Sequence, residues 1–207
     1  LLCGTGVGFS VERQYIQNLP EVPELSESET TVVVKDSKEG WAKGLRQVLA
    51  LLWAGEIPKW DVSQIRPAGA RLKTFGGRAS GPAPLIDLFN FSVNTFRSAS
   101  GRRLSSIECH DLMCYIGQIV VVGGVRRSAM ISLSNLSDGR MRHAKSGNWW
   151  ETAGHRALAN NSVCYTEKPD SETFMREWLA LVESKSGERG VFNRQACKVL
   201  ADRSGRR

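Results

Sequence analysis

Apolar and polar positions along the chain follow two periods. Short apolar runs bounded by polar residues, GFSVE (8–12), TTVVV (30–34), IPKW (57–60), MISLSNL (130–136) and ANNSVCYT (159–166), read as strands. Between them lie stretches on the helical period. Trp41, Leu45, Val48, Leu49 and Leu52 form one stripe of a helix expected over 38–54, with Asp36 and Ser37 as caps and Gly55 as its stop. PLIDLFNFSVNTF (84–96) is amphipathic, with Pro82 and Pro84 near its first turn. SSIECHDLMCYIGQIVVV (105–122) spans four to five turns, and SETFMREWLALVESK (171–185) is a helix with Ser171 as its cap. The stretch from Asn18 to Glu29 is acidic, contains prolines and reads as exposed loop, and SGERGVFNRQACKVLADRSG ends in a further helix. Helices alternating with short strands predict an α/β fold with parallel strands.

With 207 residues and 41% hydrophobic content the chain can bury a real core. There is no apolar run of 18 residues, so no membrane span is expected, and no signal peptide or initiator methionine is visible. An excerpt of a longer polypeptide is expected. The five cysteines (Cys3, Cys109, Cys114, Cys164, Cys197) are scattered without CxxC spacing, which points to a reducing cytoplasm. Cys109, His110 and Cys114 lack the spacing of a structural zinc site and read as thiols on a helix.

The net charge of +7 is uneven. Residues 1–60 carry 6 Lys/Arg against 8 Asp/Glu, and residues 61–207 carry 22 against 13. The basic part needs an anionic partner, nucleotide phosphates or nucleic acid.

Three glycine-rich stretches could carry chemistry. GTGVGF (4–9) is not a dinucleotide fingerprint, because Phe9 occupies the third glycine position and a strand follows, but its bare backbone would let a ligand approach closely. FGGRASGPAP (75–84) precedes a helix start, where backbone N–H groups can hold phosphate, with Arg66, Arg71 and Lys73 just before it. GGVRRSA (123–129) joins a helix to a strand, pinned at both ends and adaptable at its tip. Its Arg126 and Arg127 offer planar forks for bases or phosphates. No nucleophile–base–orienter triad can be assembled, and His110, His143 and His155 stand in unrelated contexts.

Taken in order, LLCGTGVGFSVE, IRPAGARLKTFGGRASGPAPLIDLF, GGVRRSAMISL, ANNSVCY and SGERGVFNR resemble the ribonucleotide reductases, and among them the adenosylcobalamin-dependent (class II) ribonucleoside-triphosphate reductases of the monomeric type. The similarity covers nearly the whole chain. It implies the first half of a ten-stranded α/β barrel, residues 1–207 being a partial catalytic domain with a helical insertion at 13–60. That insertion would stand in for a partner subunit's helices at the effector site. By the same resemblance Gly123, Gly124, Val125, Arg127 and Ser128 form a specificity loop and Arg126 contacts substrate. Gly6 and Gly8 lie in the turn beside the substrate, and Arg66 and Lys73 hold effector phosphates. Where relatives carry Gln before the loop glycines this chain has Val122, so one base contact is expected to differ.

The implied activity is reduction of ribonucleoside triphosphates through a cysteine thiyl radical. It implies adenosylcobalamin as cofactor, a deoxynucleoside triphosphate effector and a thioredoxin-type reductant. The radical motif Asn-Pro-Cys is absent, none of the five cysteines matches a catalytic position, and the catalytic residues and most of the cobalamin site are expected outside these residues. The segment alone is therefore expected to be inactive. Two other readings remain open: a nucleotide-binding regulatory fragment without turnover, and a basic nucleic-acid-binding module. The second is prompted by an isoelectric point near 9.4 and six tryptophans but disfavoured by arginines set in glycine loops.

Overall fold

The computed structural model describes residues 1–72, 77–122 and 129–205. The chain runs through β1 (Val7–Ser10), α1 (Arg13–Ile16), β2 (Ser26–Val33), α2 (Lys38–Trp53) and β3 (Glu56–Asp61). It continues through α3 (Ala83–Ser98), α4 (Ser106–Val122), β4 (Met130–Ser134), α5 (Gly139–Arg142) and α6 (Trp149–Thr152). A 3-10 turn (Gly154–Leu158) leads into β5 (Ala159–Tyr165), then α7 (Ser171–Ser184), β6 (Gly190–Asn193) and α8 (Arg194–Ser204).

Two parallel sheets result. The larger has the order β1-β4-β5-β6, with Val7 opposite Met130, Met130 opposite Ala159 and Ser162 opposite Gly190. The smaller pairs β2 with β3 across α2, so the inserted stretch is a β-α-β layer. The α/β reading with parallel strands therefore holds.

The helical stripe of α2 buries Val48 and Leu52 against Val32 and Ile57 of the small sheet, Val34 just past β2, and Leu85, Leu88, Phe89 and Phe96 of α3. Gly44 brings α2 onto β2, since a Cβ there would stand 2.9 Å from Val34 Cγ2. Ser37 caps the helix by accepting from Gly40 N at 2.9 Å. No described helix is long and apolar enough to cross a membrane.

Three local expectations shift. Strand β2 starts at Ser26, inside the stretch read as loop, because nearly all its early residues stay exposed and leave no apolar signal. The cap of α7 is Asp170, whose Oδ1 accepts from Thr173 N at 2.9 Å, and Ser171 is the first helical residue. GVFN is a strand, β6, ahead of the expected last helix.

Candidate functional site

The glycine turn and Ala129, the residue before β4, meet at one edge of the large sheet. Val7 N donates to Ala129 O at 2.9 Å, which seats the GTG turn against the residue that follows the loop. Gly4 has φ +75°, a conformation that favours glycine. A Cβ at Gly6 would come no closer than 3.9 Å to Ala129 O, and one at Gly8 would touch Ile131 Cγ2 at 3.5 Å. Packing within the chain thus does not demand glycine at either position, and the bare backbone leaves room for another molecule.

Gly117 differs from these: a Cβ there would stand 2.4 Å from Met130 Cε and 3.3 Å from Leu158 Cβ. The glycine lets α4 lie directly on the start of β4. Gly123, Gly124, Val125, Arg126, Arg127 and Ser128 themselves lie outside the described residues.

Of the two expected effector residues, Arg66 is described and follows β3. Arg66 Nε donates to Asp36 Oδ2 at 2.7 Å, each side chain about one-third exposed, just ahead of the N-terminus of α2. Beyond it the chain folds back on itself. Leu72 N donates to Gly77 O at 2.9 Å and Arg78 Nη1 to Gly69 O at 3.0 Å, while Gly81, at φ +74°, passes so close to Ala68 N that a Cβ would stand 2.9 Å away. Lys73 lies outside the described residues.

Under β5 sits a buried polar cluster that no local motif announces. Asp111 accepts two hydrogen bonds from Arg156, 2.7 Å from Nε and 2.6 Å from Nη2. His110, fully buried, bridges Asp111 (3.1 Å) and Asn161 Oδ1 (3.0 Å). Lys145, also buried, donates to Ala159 O at 2.6 Å and Glu188 Oε1 at 2.9 Å, and Glu188 Oε2 accepts from Asn161 N. The cluster ties α4 to the 3-10 turn and β5, so it orients the helix that leads into the loop.

Burial would raise the pKa of Asp111, but the bonds from Arg156 and His110 outweigh it and hold the carboxyl well below its ordinary value of 3.8. A depressed carboxylate stabilises the fold above its unfolded pKa, and that stabilisation fades as pH falls toward the folded value. The urea midpoint should therefore drop as pH is lowered below about 4. Asp111→Asn should lose about 2 kcal/mol at pH 7 and show a flatter acid limb. Equal acid limbs for the two proteins would contradict the assignment.

The described cysteines are all free thiols. Burial pushes Cys109 and Cys114 up to about 12, which makes them poor nucleophiles at neutral pH.

A parallel sheet with a separate β-α-β layer, and a glycine turn seated against Ala129 where β1 and β4 begin, define the α/β frame of the chain. Residues 13–96 match the family model described as "B12-dependent ribonucleotide reductase, insertion domain". The chain is 31% identical to the adenosylcobalamin-dependent ribonucleoside-triphosphate reductases of Lacticaseibacillus paracasei and of Lactobacillus leichmannii, each alignment covering 93% of this chain and 30% of the relative. A crystal structure of a B12-dependent (class II) ribonucleotide reductase superposes with a TM-score of 0.65 at 27% identity, over 80% of this chain and 27% of that one. The chain belongs to the B12-dependent ribonucleotide reductase family. It spans about 30% of the length of the curated relatives it matches.

Proposed function

We propose that this chain is the segment of an adenosylcobalamin-dependent ribonucleoside-triphosphate reductase that carries the specificity loop, one wall of the substrate site and the effector site. The observation that supports this most is the contact between Val7 N and Ala129 O, because it sets the bare glycine turn beside the stem of the loop that holds Arg126. Gly6 and Gly8 then admit the substrate nucleotide, and Arg126 reads its base. Gly123, Gly124, Val125, Arg127 and Ser128 change shape with the effector, a deoxynucleoside triphosphate whose phosphates meet Arg66 and Lys73. An effector can redistribute such a loop only through contacts that differ between its states. Paired glycines keep those states close in energy.

The protein would work in the cytoplasm with a thioredoxin-type reductant, in keeping with free thiols throughout the described residues. Adenosylcobalamin would be the source of the radical, with most of its site outside these residues. His110 is committed to Asp111 and Asn161, and His155 lies 3.4 Å from Asp111. No group of three metal-ligating side chains occurs among the described residues. With no Asn-Pro-Cys motif in these 207 residues, the segment on its own should show no turnover.

The test is Arg126→Ala in a reductase that contains this segment, assayed with the four ribonucleoside triphosphates in competition. The ratio of kcat/KM values between bases should change by about tenfold or more, the worth of one charge-assisted contact, with the unfolding midpoint unmoved. A uniform loss across all bases together with a lowered midpoint would assign the arginine to structure.

A further inference from the structure

At the opposite end of the same two strands, where β1 and β4 end, a cleft of about 610 Å³ opens between α1, α5 and the start of α4. Val11 and Ile16 supply its apolar lining, and Arg13, Arg103 and Arg140 supply three guanidinium groups. Arg103 is engaged, by Leu19 O at 2.8 Å and Glu21 at 3.3 Å. The guanidinium groups of Arg13 and Arg140 are exposed and have no carboxylate partner among the described residues.

The acidic groups nearby are already committed. Asp138 accepts from Met141 N at 3.1 Å as the cap of α5. Glu108 accepts two bonds from Arg102, at 2.8 and 2.7 Å, and closes a capping box with Ser105. Ser106 stands apart from this pairing. It lines the cleft, is only 8% exposed, and its hydroxyl has no hydrogen-bond partner among the described residues. A hydroxyl free to donate beside two unpaired guanidinium groups fits an acceptor with several oxygens. The C-terminal edge of parallel strands is also where α/β sheets gather ligands.

We propose that this cleft binds a phosphate group, with the forks of Arg13 and Arg140 clamping its oxygens and the Ser106 hydroxyl donating a third bond. The site lies at the other end of α4 from the specificity loop and does not depend on the reductase reading. Planar forks match phosphate oxygens two at a time, which a lysine ammonium cannot do. The apolar lining from Val11 and Ile16 leaves space for the organic part of a small phosphate ester.

The 207-residue chain would be titrated with inorganic phosphate at fixed ionic strength, following amide and arginine side-chain resonances. Saturable binding is expected, with the largest shifts at Arg13, Ser106 and Arg140. Arg13→Ala/Arg140→Ala should weaken it at least about tenfold, the loss of one or more charge-assisted bonds. Both arginines are exposed, so the far-UV spectrum should not change. The paired lysine variant keeps the charge but loses the forks and should bind with intermediate strength, whereas Arg66→Ala should bind like the parent. A parallel titration with phenyl phosphate separates the two sources of the group: tighter binding than inorganic phosphate assigns an ester, and equal binding assigns the free ion. Shifts that never saturate, or equal affinity in the double alanine variant, would overturn the site.

Discussion

Arg189→Ala should destabilise the chain by about 3–5 kcal/mol, the usual result of removing one partner from a buried ion pair. The side chain is 2% exposed, and each nitrogen of its guanidinium is used. Nε donates to Glu177 Oε2 at 2.8 Å, Nη1 to Ser134 Oγ at 2.9 Å and Asn135 O at 3.1 Å, and Nη2 to Leu136 O at 3.1 Å. Glu177 is buried as well, and Arg142 holds its other oxygen at 2.6 Å. Truncation would remove the bonds to Ser134 Oγ and to the two carbonyls that follow β4, leaving these with Ser162 O, Asp138 N and Arg142 Nη2 as their remaining partners, and would leave Glu177 with a single cation. Native stabilities are typically 5–15 kcal/mol, so most of the margin would go. A urea titration should show the midpoint falling with an unchanged slope. Arg189→Met combined with Glu177→Leu should be milder than either single change, because the one charge left without its partner is that of Arg142, which is partly exposed and keeps Leu136 O. A single-variant loss under 1 kcal/mol would mean that water reaches this pair.

Phe89→Ala should cost a similar 3–5 kcal/mol by a different route, the loss of an aromatic side chain and the cavity left behind. Phe89 is fully buried on α3, its ring centroid 5.5 Å from that of Trp60 and its Cζ 3.6 Å from where a Cβ would stand at Gly44. It thus touches α2 and β3 at once and closes the inserted layer onto α3. The damage should concentrate there. Hydrogen exchange should accelerate first in α2, β2 and β3, while β4 and β5, outside this core, keep their protection longest. Uniform acceleration in both sheets would show that the layers unfold as one unit.

Much of this architecture is legible in the residue pattern, because the forces that make a helix are local. The stripe from Trp41 to Leu52 places α2 within a residue of its observed end, and the prolines before Leu85 mark the start of α3. What stays hidden depends on distance along the chain. His110 and Asn161 are 51 positions apart, and Asp111 and Arg156 are 45 apart, so CHD and GHR each look unremarkable until the fold joins them. Strand β6 is four residues long with only intermediate and exposed positions, too little contrast for any period to register. The candidate site divides in the same way. Its glycines stand out because their dihedral freedom is a property of the residue itself, whereas the pairing of Arg66 with Asp36 exists only because α2 returns the chain to that point.

The cleft at the end of β1 also bears on the order of folding. Val11 and Arg13, where the chain leaves the large sheet, share that cleft with Arg103 and Ser105, where it returns. Val7 must find Met130 across 123 positions. From an open chain, closing so long a loop costs about 2 kcal/mol more than closing one of some ten residues. Once the inserted layer has formed, its two ends already lie side by side and only a short gap is left to close. An insertion folded first would thus serve as a scaffold for the very sheet it interrupts, and the first strand of the chain would join that sheet at a smaller entropic cost.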